Sequence, residues 1–184
     1  MARYYVSITL LVYLLALCFV GVRLEGDGSM LALQILLLGP WGIVMGLFGW
    51  FANPLLGLAV LLRRRLRWLS LALGGWALYL ALACLNIDTL PDNHSYNFLA
   101  VTRFDVGYYL WALAIAIFCA GQAWWCGRGR SVEIPRWQWP DAGLGLLLVA
   151  VVVIASQQES LHFKVERVFE MPPPIEAPRH DEAI

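Results

Sequence analysis

The chain has 184 residues, 60% hydrophobic and 14% charged, with 13 basic against 13 acidic side chains and a formal net charge of 0. Soluble domains are nearer a quarter charged, and a balanced chain presents no basic field for a polyanion, so no nucleic-acid partner is expected. The charges sit in short segments between long apolar runs, and the mean hydropathy is +0.67. That pattern predicts an all-α polytopic transmembrane bundle over residues 1–156, with the lipid bilayer as its solvent, followed by a short extramembrane tail over 157–184.

The first apolar run, Tyr4 to Val22, is long enough for one span. Leu15-Ala16-Leu17-Cys18 resembles a lipoprotein cleavage box, but Leu17 is bulky where a small residue is wanted, so the run reads as a retained helix. A polar turn, Arg23 to Ser29, comes next. Met30 to Leu62 is then apolar almost throughout and uncharged, too long for a single straight span of about 20 residues. Gly39-Pro40 divides it, because proline removes a helix hydrogen bond and clashes with the preceding turn. Met30–Leu38 is expected to lie at the interface, to dip into the bundle, or to top a kinked helix. Trp41–Leu62 is expected to span. Within it Gly42, Gly46 and Gly49 suit close helix contact. Asn53-Pro54 falls in its middle third and reads either as a packing kink or as part of a polar site inside the bundle.

The run ends at Arg63, Arg64, Arg65 and Arg67, a basic inner-face cluster under the positive-inside rule, or else a contact for anionic headgroups. The third span is Trp68 to Leu85, succeeded by the loop Asn86 to Asp105. The fourth is Val106 to Trp125, opening Gly107-Tyr108-Tyr109-Leu110-Trp111. Arg128, Arg130 and Arg136 mark a second inner loop, and Ala142 to Ser156 is a short fifth span. Counting one crossing per run puts the amino end inside and the carboxyl end outside. The 9 Trp and 7 Tyr gather near the ends of the runs, as interfacial aromatic belts do. In the tail Leu161, Phe163 and Val165 alternate with His162, Lys164 and Glu166 at a strand period, and Pro172-Pro173-Pro174 stiffens the last residues of the chain into an extended arm.

Two segments, Gly39-Pro-Trp-Gly…Gly49-Trp-Phe-Ala-Asn-Pro-Leu-Leu56 and Gly107-Tyr-Tyr-Leu-Trp111, resemble a family of small bacterial membrane proteins with no assigned activity. Its members pair a tryptophan-rich segment ending Ala-Asn-Pro-Leu-Leu with a later Gly-Tyr-x-Leu-Trp at a helix start. The resemblance covers roughly residues 37–125. It implies a multi-pass protein of the bacterial inner membrane, and it singles out Trp50, Asn53, Pro54, Gly107, Tyr108 and Trp111.

Chemistry-bearing constellations are sparse. Cys18, Cys84, Cys119 and Cys126 lie in or at the end of apolar runs with no Cys-x-x-Cys spacing, and read as packing residues. His94, His162 and His180 fall in the outer loop or tail. Asp88, Asp92 and His94 match no metal-site spacing, and Pro91 breaks any helix that would align them. No catalytic residue, metal or cofactor is therefore expected. The sequence points to a non-catalytic binding protein, a subunit of a membrane complex or an immunity-type protein against a membrane-active toxin, with a protein partner in the membrane or at its outer face. The alternative is a small transporter or channel component with Asn53-Pro54 lining the path. A lipid-modifying enzyme using Asp88, Asp92, His94 or Asp105 is a third reading.

Overall fold

The computed structural model describes residues 4–26, 28–91, 98–128 and 138–158. In chain order the elements are α1 (Tyr5–Leu17), β1 (Val20–Leu24), β2 (Ser29–Leu31), α2 (Ala32–Gly42), α3 (Ala52–Leu62), α4 (Arg67–Ala83), β3 (Thr89–Pro91), β4 (Phe98–Phe104), α5 (Val106–Gly127) and α6 (Trp139–Ser156). Among the described residues three helical segments are long and apolar enough to cross a membrane: Arg67–Asn86, Val106–Gly127 and Trp139–Ser156. Helix α1, at 13 residues, is about 20 Å long and falls short of a 30 Å hydrocarbon layer.

The helices pack in the order α6, α1, α5, α4, α3. Small residues between helices let the backbones approach closely and pack without voids. The buried residues fit that rule. Ala52, Ala59, Ala77, Ala81 and Ala114 are each fully buried between helices. Gly74 leaves only 3.0 Å between its missing Cβ and the Phe118 ring, and Gly121 lies directly under the Tyr5 ring. The outer faces stay apolar, with Leu61, Trp76, Tyr79, Leu146, Val149 and Ile154 all exposed. Helix α6 is peripheral: only 11% of its membrane-length window is buried.

The fold is not all-helical. Both segments read as outer turn and loop contribute strands to one antiparallel sheet, in the order β2-β1-β4-β3. Val20–Leu24 buries Gly21, Val22 and Leu24 and exposes Arg23, and Phe98–Phe104 is rich in β-formers. The first helix therefore ends at Leu17, not Val22. Val22, Leu24 and Met30 bury one face of the sheet against Ile35 and Leu38 of α2, forming a second small core.

Because α1 runs into β1, α4 into β3 and β4 into α5, the sheet caps one end of the bundle. The α3–α4 turn, with its arginines, and Arg128 after α5 lie at the other end.

The long apolar run departs from expectation as well. Trp41–Leu62 is not one kinked span. Helix α2 continues through Pro40 to Gly42. The chain then passes through 3-10 turns at Ile43–Met45 and Phe48–Phe51 before α3 starts at Ala52. The stop is Gly46, whose φ of 78° favours a residue without a side chain. The Leu47 N–H closes the reversal by donating to the Gly42 carbonyl at 2.9 Å. Pro54 falls in the first turn of α3, where its missing N–H has no helical acceptor to satisfy, so it starts a helix rather than kinking one.

Candidate functional site

Proline 40 shapes the first part of the site. Its missing N–H frees the Leu36 carbonyl, one turn back in α2. The Trp50 indole takes up that acceptor, donating from Nε1 to Leu36 O at 2.9 Å. The ring lies against Gly39, where any side chain would collide with it. The two halves of the Gly-Pro-Trp-Gly…Trp-Phe-Ala-Asn-Pro segment thus clasp each other, folding α2 back so that α3 begins near the sheet end.

Asn53, in the first turn of α3, joins three helices. Its Oδ1 accepts from Tyr13 Oη of α1 and from Trp111 Nε1 of α5, both at 2.8 Å. An indole nitrogen only donates, so the atom facing Trp111 is the oxygen. Tyr108 Oη donates to Ala81 O of α4 at 2.6 Å. Gly107 packs against β1: a Cβ there would stand 2.7 Å from Phe19 O and 2.8 Å from Val20 O.

Together these residues wall a cavity of about 160 Å³, with Tyr13, Trp50, Asn53, Tyr108 and Trp111 around its sides and Met30 and Leu90 of the sheet above. Trp41, 65% exposed, marks where the cavity meets the outer face of α2. Of the six residues singled out by the sequence, Trp50, Asn53, Tyr108 and Trp111 line this space, while Pro54 and Gly107 position its walls.

A second polar cluster occupies the basic end. Arg63 is 1% exposed and Asp141 2%. Arg63 Nη2 stands 3.5 Å from Asp141 Oδ2, an ion pair rather than a short hydrogen bond. Ser7 Oγ donates to Asp141 Oδ1 at 2.5 Å. Gln122, fully buried in α5, accepts from Tyr5 Oη at 2.7 Å and donates to Arg63 O at 3.2 Å and Arg67 O at 3.0 Å. The arginine cluster is therefore divided. Arg64 and Arg65 are exposed, whereas Arg63 turns inward to hold α6. Asp141, read as loop, lies in the first turn of α6 within a capping box with Gln138.

Of the four residues weighed for a lipid-modifying reading, Asp88 and Asp105 are among the described ones. Asp105 caps α5 through the Val106 N–H and pairs with Arg23 at 2.6 Å. Asp88 accepts from Val101 N through its backbone. Asp92, His94, His162, His180, Arg130, Arg136 and the tail segments around 161–166 and 172–174 lie outside the described residues.

Sequence reading missed Tyr13, Tyr5, Ser7, Gln122 and Asp141. Gln122 carried a signal, a lone amide in a long apolar run. Tyr13 carried none that separates it from an interfacial aromatic. Comparison with known protein families, curated proteins and solved structures finds no match for this chain.

Proposed function

We propose that the protein is a non-catalytic integral binding protein of the bacterial inner membrane, working within a larger membrane complex, with its recognition site in the Asn53 cavity. The single observation that carries this reading is the convergence of α1, α2, α3 and α5 on a mostly apolar cavity with one fixed amide. Apolar cavities with a few placed polar groups are the usual form of a small-ligand site. Membrane residence is supported by the three membrane-length helices and the apolar outer faces.

The proposed orientation puts Arg64, Arg65 and Arg128 inside and the sheet outside, with five crossings, α1 and the segment Phe48–Leu62 being the short ones. A membrane-impermeant thiol reagent should then label Arg103→Cys in intact cells and Arg64→Cys only after permeabilisation. The reverse pattern refutes the orientation.

A transport path lined by Asn53-Pro54 has weaker support. Between Asn53 and the arginine end, the bundle is packed with fully buried Ala59, Ala77, Ala114, Ile115 and Phe118. Native mass spectrometry of the full chain, extracted from its own membrane in mild detergent, tests the binding reading. A retained small ligand is expected, lost in Ala32→Leu, which narrows the cavity wall. A bare chain, or a ligand indifferent to Ala32→Leu, rejects it.

A further inference from the structure

We infer that the occupant of the Asn53 cavity is a phospholipid, held by an ester carbonyl that accepts from Asn53 Nδ2 while about six carbons of its acyl chain fill the apolar space. The inference deepens the proposed function and rests on it.

The amide geometry is the starting point. Both lone-pair directions of Asn53 Oδ1 are taken, by Tyr13 and Trp111. Among the described residues the Asn53 amide nitrogen donates to no acceptor. Asn53 lines the cavity, so the polar group it offers an occupant is a donor. A donor facing apolar walls is unfavourable unless an acceptor meets it. The part of the occupant inside the cavity must therefore carry an acceptor and be otherwise apolar, a description that excludes cations and favours carbonyl compounds.

Size and position select the source. A dry cavity of about 150 Å³ holds one benzene, so about 160 Å³ takes a chain segment of about six carbons. Trp111 is the sixth residue of α5 and Asn53 the second of α3, and both helices begin at the sheet end. The amide thus lies about 8 Å below the sheet at 1.5 Å per residue. In the proposed orientation that is the outermost part of the hydrocarbon, several ångströms below the ester carbonyls and within reach of one drawn down with its acyl chain. The surrounding bilayer is then the ligand reservoir, entered beside exposed Trp41.

The test titrates detergent-purified full-length protein with dioleoyl phosphatidylethanolamine and with its dialkyl ether analogue, read by native mass spectrometry. The ether keeps headgroup and chains but lacks both carbonyls. The ester lipid is expected to bind about five-fold more tightly, the worth of one hydrogen bond. Asn53→Asp keeps the acceptor for Tyr13 and Trp111 but removes the donor, and should erase the difference. Equal binding of ester and ether by the wild type overturns the carbonyl contact. If both are still lost in Ala32→Leu, the cavity remains a binding site and only the carbonyl contact fails. If Ala32→Leu changes neither, the proposed function fails with it.

Discussion

At the residue scale, Gly39, Pro40 and Trp50 form one unit: the proline frees a carbonyl, the glycine makes room, and the indole fills both needs. Gly39→Ala should expel the Trp50 ring and destabilise the fold by about 1–3 kcal/mol, as overpacking does. Trp50→Phe fits beside Gly39 but leaves Leu36 O without the indole, and should cost less, about 1 kcal/mol. Reversible unfolding in mixed micelles measures both. A harmless Gly39→Ala would mean that the clasp does not hold α2 in place. Both ends of this unit stand out in the sequence, where Trp50 and Asn53 are singled out by their segment alone. That Pro40 supplies an acceptor instead of ending a helix is not legible there, because the acceptor's partner is 14 residues from Leu36.

At the element scale, the weakly buried α6 is tied to the bundle through Asp141, against Arg63 and Ser7. Removing one partner of a buried ion pair strands the other charge, whereas replacing both with apolar groups is often neutral. Asp141→Ala should therefore destabilise by about 3–5 kcal/mol, and the double change Arg63→Met with Asp141→Leu should recover most of it. Additive losses in the double variant would contradict the pairing.

At the sheet end, Asp105 joins β1, β4 and the start of α5. The hydrogen bond from Arg23, then that from the Val106 N–H, then the Arg23 and Arg103 charges hold its carboxyl below the usual range. A depressed carboxylate stabilises fully above its unfolded value of about 3.9 and loses that contribution as pH falls through the folded value. Unfolding measured from about pH 7 to about pH 2 should show a shallower acid limb for Asp105→Asn than for wild type. Coincident limbs would mean that Asp105 does not stabilise the sheet end. Composition disclosed the helices here but not the sheet. The strands are short, and two sit in segments whose charges and turns read as loop. Arg63 was equally opaque, since nothing local separates it from exposed Arg64.

At the scale of the whole molecule, the bundle has a packed lower half and a hollow upper half under a sheet. Small residues close the first, and aromatic side chains with polar tips frame the second. Legibility divided along the same line. Apolar runs announced the three membrane-length helices but not the end of α1 at Leu17 or the break between α2 and α3, while the cavity depends on pairings between distant segments that no local pattern encodes. The central claim is that this hollow receives a ligand from the bilayer past Trp41. Its most direct test places a photoreactive amino acid at position 41 in the full chain, irradiates intact cells, and reads the adduct by mass spectrometry. A lipid-sized adduct is predicted at position 41, much reduced when Ala32→Leu is added. An adduct unchanged by Ala32→Leu, or none at all, would contradict the claim.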